Sequence, residues 1–161
     1  MPFLEGKSNK HPIYEGLIAS ESELYEYKNK LKGASIMNQN QNKQSAISFL
    51  QMVASGKIRE AFERQIAPDF RHHNPYFRGD AESLMLAMEE NAVQSPHKTL
   101  EVKHAIADEN TVAVHSHIKQ NPEDLGVAVI HIFRFEGERI VELWDVGQAI
   151  PKESPNDHGM F

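Results

Sequence analysis

Three clusters in this chain hold side chains able to move protons or hold ions. His115-Ser116-His117 spaces two imidazoles two residues apart, Asp145 directly follows the single tryptophan Trp144, and Arg71-His72-His73-Asn74 runs into Pro75. Asp145 has Val141 and Leu143 close by in sequence, an apolar setting in which a carboxyl group suits general acid–base work. A carboxylate at a strand end, bonded to backbone amides, is the plainer alternative. On a strand, residues i and i+2 share a face, so His115 and His117 offer two legs of a metal site. No third ligand stands at a clear position, and no metal is expected; proton transfer, polar lining of a pocket and an exposed pair all stay open for these histidines. In extended chain Arg71 and His73 fall on one side and Phe70 and His72 on the other, so only one of the adjacent histidines can face a pocket. A surface loop capped by Asn74 is the competing reading. The chain has no Gly-rich phosphate loop, no Gly-x-Ser-x-Gly and no His-Glu-x-x-His, which leaves nucleotide, serine-hydrolase and zinc-protease chemistry without support.

The elements that must carry these residues read clearly from Lys43 onward. Ala46, Ile47, Leu50, Val53 and Ala54 recur at helical spacing and stop at Gly56. A second helix, 57–66, sets Ile58, Ala61, Phe62 and Ile66 on one face and ends before Pro68. Residues 69–75 are short and extended. Gly79-Asp80 opens a third helix to Gln94, closed by Pro96, with Met85 and Met88 as core or pocket wall. Strands follow at 99–106, 111–119, 127–136 and 139–148, the last two joined by a tight turn at Gly137-Glu138. Three helices followed by a four-stranded antiparallel meander make an α+β plan, a bent sheet with helices against its concave side and a cavity at the open end. Residues 1–40 read as an N-terminal extension. Pro2, Gly6, Pro12 and Gly16 interrupt the early pattern, Ser20-Glu21-Ser22-Glu23 caps a short helix to Lys32 with Gly33 as its stop, and 38–42 is polar and low in complexity. Leu24, Tyr25 and Leu31 offer an apolar stripe by which that helix could instead dock on the domain. Residues 41–150 form the domain and 151–161 a polar tail.

Composition narrows the function classes. The chain has 161 residues, no cysteine and a formal net charge of −6, which fits one domain without disulfides in a reducing cytoplasm. An acidic balance opposes nucleic-acid binding, which needs a clustered basic face. No apolar run approaches the roughly 20 residues of a bilayer span, and residues 1–10 lack the apolar centre of a signal peptide. A cytoplasmic protein with no nucleic-acid or membrane partner is expected.

Strand register decides which candidates can meet. A two-residue turn with glycine first suits a type II′ hairpin; it pairs Glu136 with Arg139 and sets Ile130 opposite Asp145. Placing Lys119 opposite Gly126 sets His115 opposite Ile130. The expected row is then His115–Ile130–Asp145, with His117, Ile132 and Leu143 on the same pocket face. His131 falls on the other face beside Val129, Phe133 and Trp144, an apolar stripe suited to dimerisation. A three-residue turn would bring His131 to the face of Asp145.

The segment Phe70-Arg71-His72-His73-Asn74-Pro75, with Gly79 four residues on, and the ending from Ile130-His131-Ile132-Phe133-Arg134-Phe135-Glu136-Gly137 through Ile140-Val141-Glu142-Leu143-Trp144-Asp145-Val146-Gly147-Gln148 resemble the SnoaL-like proteins of the nuclear-transport-factor-2-like superfamily. The resemblance covers about residues 41–150. It implies a cone-shaped, bent antiparallel sheet closed by three helices around a deep pocket, often as a homodimer. It also implies acid–base chemistry by pocket side chains without metal or cofactor, as in polyketide cyclases (intramolecular aldol condensation), ketosteroid isomerases and limonene-epoxide hydrolases. Asp145 matches the family's aspartate after tryptophan, and His73 the histidine of its His-Asn-Pro motif. His115 and His117 take the place of a polar pair that faces such an aspartate in the epoxide hydrolases. The expected catalytic residues are therefore Asp145, His73, His115 and His117, with Arg71, Asn74, Ile130, Ile132, Leu143 and Met88 binding a small, largely apolar carbonyl compound. Capture of a hydrophobic ligand without turnover is the alternative. The chain departs from close relatives, which often carry Asp at the position of His131 and His at that of Leu143.

Overall fold

The computed structural model describes residues 20–161, so the expected breaks at Pro2, Gly6, Pro12 and Gly16 lie outside the described residues. The described residues fall into two units, one ending at Ala34 and the other running Ser35–Phe161. Helix α1 (Glu21–Ala54) opens with the capping box read from the sequence. Ser20 N donates to Glu23 Oε2 at 2.7 Å, and Glu23 N donates to Ser20 Oγ at 3.3 Å, a reciprocal pairing of otherwise orphaned amides. The expected stop at Gly33 is overturned: α1 continues through it and through the polar stretch 38–42. A helical glycine costs only about 1 kcal/mol against alanine, and Asn and Gln cost less; without a left-handed turn or a proline behind it, Gly33 ends nothing. Gly56 does end the helix, with φ at +82°, the conformation glycine adopts without penalty.

Helix α2 (Ile58–Gln65) and helix α3 (Ala81–Gln94) follow. Asp80 caps α3 by accepting from Ser83 N at 2.8 Å. The strands are β1 (Ile66–His72), β2 (Thr99–Asp108), β3 (Thr111–Lys119), β4 (Val127–Glu136) and β5 (Arg139–Ala149), in spatial order β1-β5-β4-β3-β2. The sheet is thus five-stranded and mixed, not the four-stranded antiparallel meander expected, because β1 pairs in parallel with β5. The stretch containing Pro68 forms a strand after all, since it lies at the sheet edge, where a missing N–H breaks no ladder. No described helix is long and apolar enough to cross a membrane.

The core of the larger unit is aromatic. Phe49 is fully buried, with its ring centroid 5.5 Å from that of Phe62 and 6.0 Å from that of Phe133; Phe62 in turn lies 6.5 Å from Phe70. These rings join α1, α2, β1 and β4 and fix the sheet face turned towards the helices.

The β4–β5 hairpin contains the decisive correction. The turn is as read: Glu136 pairs with Arg139, and Gly137 has φ at +59°, as a type II′ turn requires. Three residues later the register slips, because Phe135 pairs with Ile140 but Arg134 pairs with Glu142, leaving Val141 as an extra residue. This β-bulge flips the parity of all that follows. His131 therefore pairs with Asp145, and Ile130 with Val146. The β3–β4 register is as expected, with His115 opposite Ile130. The stripe expected for dimerisation is also divided: Phe133 and Val129 are buried on the helix-facing side, whereas Trp144 stacks on His73 at 4.7 Å on the other.

Candidate active site

A cavity of about 310 Å³ opens between α3, the end of β1 and the helix-facing side of β4 and β5, within the size range of small-molecule sites. Its apolar wall includes Phe77, Leu84, Ala87, Met88 and Leu143, and its polar groups include Asp145, His131, Asn74 and His72. Leu84, Ala87, Met88 and Asn91 lie at helical i, i+3, i+4 and i+7 spacing, which puts one stripe of α3 against the space.

Asp145 is held from one side. Asn74 Nδ2 donates to Asp145 Oδ2 at 2.8 Å, and Asn74 Oδ1 accepts from Tyr76 N at 3.0 Å. Both ends of the amide are engaged, so its orientation is fixed. Asp145 Oδ1 has no side-chain partner among the described residues. His72 orders the loop that carries Asn74: its Nε2 donates to Arg78 O, and its Nδ1 accepts from Asn74 N at 3.3 Å. Of the adjacent histidines, His72 is thus the one turned to the pocket.

His131 stands across the strand pair from Asp145, where facing Cβ atoms are typically about 4.5–5.5 Å apart. Its Nδ1 is buried and has no hydrogen-bond partner among the described residues. Burial pushes the imidazole pKa down to about 4; the Asp145 carboxylate pulls it up, and the Lys98 ammonium adds to the lowering. The folded state therefore refuses a proton that the unfolded chain accepts below about pH 6.5. Between pH 6.5 and 4 the unfolded state binds more protons, so stability falls as the pH falls. Across that window the expected loss is on the order of 2–3 kcal/mol, read by urea unfolding, and His131→Gln flattens it. Equal slopes for both proteins would contradict this account.

The other expected residues lie elsewhere. His73 and Arg71 point away from the cavity: His73 Nε2 bonds Glu142 Oε1 at 2.9 Å, and Arg71 approaches the same carboxylate at 3.8 Å. His73 and Arg134, with smaller help from Arg71, hold the Glu142 carboxyl below its usual range. His115, His117, Ile130 and Ile132 occupy the sheet face opposite Asp145, a direct result of the Val141 bulge. There the Phe161 ring lies 5.4 Å from His115 and 4.7 Å from His117, and His117 Nε2 bonds Leu125 O at 2.8 Å. Asp145, Asn74, Leu143 and Met88 are brought together as expected; His131 joins them through the bulge and not through the three-residue turn raised as the alternative. His72 takes the place expected for His73, and Lys98 was not among the expected residues. Two signals pointed to His131: Ile140-Val141 breaks the apolar alternation where the bulge falls, and positions 131 and 143 are those at which the chain departs from the family it resembles. Among the described residues no three His, Asp or Glu side chains converge as metal ligands.

Fold and cavity together define a small α+β domain with a carboxylate and an imidazole at the wall of a largely apolar pocket. The SnoaL-like domain profile matches residues 46–143, and the chain belongs to the SnoaL-like family. A comparison with curated proteins finds no match. Among solved structures, a SnoaL-like protein of unknown function from Burkholderia thailandensis superposes with a TM-score of 0.58 at 16% identity, over 69% of this chain and 97% of that one. A Kribbella flavida protein provisionally assigned as a ketosteroid isomerase gives 0.59 at 16% identity, over 75% and 88%. A Bacillus cereus protein provisionally assigned as a polyketide cyclase gives 0.59 at 17% identity, over 67% and 74%. These similarities establish the shared fold.

Proposed function

We propose that this SnoaL-like domain is an enzyme that moves a proton on a small, largely apolar carbonyl compound, in an aldol-condensation or isomerase type of reaction. The observation that carries the reading is Asp145, a carboxylate at the wall of an apolar cavity, fixed through one oxygen by Asn74 at 2.8 Å. In this reading Asp145 removes a proton from the carbon beside the carbonyl. His131, whose ring lines the same cavity, donates to the oxygen on which charge develops. Leu143 and Met88 hold the apolar skeleton. The names given to the Kribbella and Bacillus proteins, isomerase and cyclase, agree with proton transfer next to a carbonyl. His73, His115 and His117 have no part in this scheme, because they lie outside the cavity.

The direct test is hydrogen exchange. Incubated in D₂O with a panel of small ketones and followed by proton NMR, the protein accelerates deuterium incorporation at the carbon next to the carbonyl of at least one of them. Ligands that bind without any acceleration would favour a binding protein over an enzyme.

A further inference from the structure

We propose that the substrate of this pocket carries a carboxylate, received by Lys98 together with Gln120; this rests on the acid–base reading of the same cavity. Lys98 and Gln120 both line the space that holds Asp145 and His131. The ammonium of Lys98 donates to Asn91 Oδ1 at 2.6 Å, and among the described residues no carboxylate lies within ion-pair distance of it. Long ammonium side chains ordinarily extend their charge into water. This one is instead drawn back to the pocket wall, where burial lowers its pKa, so its charge is tied to a neutral amide with no counter-ion.

Asn91 explains the placement. Its other end donates from Nδ2 to Gln120 Oε1 at 3.3 Å, so one amide orients both neighbours and is itself used at both ends. What remains is the donors: two N–H groups on Lys98 and the Nε2 amide of Gln120, which has no partner among the described residues. A cluster of donors bearing one positive charge matches the two acceptor oxygens of a carboxylate. The stripe of α3 beside it turns from Leu84, Ala87 and Met88 to Asn91 over seven residues, about 10 Å of helix. An oxo acid with its carboxylate on Lys98 and its hydrocarbon part along that stripe would use both ends of the gradient, leaving the carbonyl region for Asp145 and His131. The ligand's charge then supplies the missing counter-ion.

The test is calorimetric titration of the whole protein with octanoate and naphthoate, each beside its primary amide. The expected result is a preference of about tenfold or more for the carboxylate over the amide, lost in Lys98→Met and kept in Lys98→Arg. Equal affinity for carboxylate and amide in the unaltered protein would overturn the proposal and leave the acid–base reading standing. A preference that survives in a folded Lys98→Met variant would overturn it equally. Asp145→Asn separates the two claims: it is expected to keep the carboxylate preference while losing exchange activity. Absence of binding by every probe would overturn the carboxylate proposal as well, while the exchange test with ketones decides the acid–base reading separately.

Discussion

Asp145→Asn is expected to lower turnover by about 10²–10⁴-fold, the usual worth of a positioned acid–base group, with ligand affinity nearly unchanged. The substitution is close to isosteric, and an asparagine at 145 can still accept from Asn74 Nδ2, which now spans 2.8 Å to Asp145 Oδ2. Loop and pocket wall stay in place, so the variant removes the proton acceptor and little else. Parallel measurement of kcat and of ligand dissociation separates the two effects. An unchanged rate would remove Asp145 from the chemistry and return the pocket to a purely binding role.

Phe49→Ala is expected to lower the free energy of unfolding by about 3–5 kcal/mol, the range for emptying a buried aromatic site. Phe49 is fully buried, packed against Phe62 on α2 and Phe133 on β4. Against a typical total of 5–15 kcal/mol, this leaves a marginal domain. The denaturation midpoint should fall at constant m-value. Phe133 also stands two residues from His131 on the same strand face, so ligand affinity should weaken in the same variant. A loss below about 1 kcal/mol would mean that the aromatic cluster does not anchor the sheet.

Much of the fold was legible because it rests on local rules. Gly56, Asp80, Pro96 and the Gly137-Glu138 turn mark boundaries through backbone geometry that needs no distant partner. Gly33 misled because glycine permits a stop without imposing one. Strand β1 was obscured because its pairing partner, β5, lies some seventy residues away, and Pro68 is acceptable only at an edge known once the sheet is assembled. The site was read half correctly for a related reason. Asp145, Asn74, Met88 and Leu143 follow from composition and resemblance, but their association with His131 depends on the strand parity set at Val141. Lys98 carries no local signature at all: its role comes from Asn91 and Gln120, which the fold brings to it from a helix and from a strand end.

The extra residue at Val141 also determines which kinds of genetic change can reach this site. Exchanging its side chain leaves the residue count of β5 intact, and with it the set of groups presented to the helices. Losing that single codon would only remove the bulge: Glu142 would follow Ile140 directly, and Leu143 and Asp145 would still stand opposite Phe133 and His131. Pairing the present residues without the bulge would instead turn them to the outer side. Comparison of relatives should therefore place a one-residue gap at Val141 and align the strand from the aspartate backwards. A chain one residue shorter there, with a regular strand, would present the same pocket as this one.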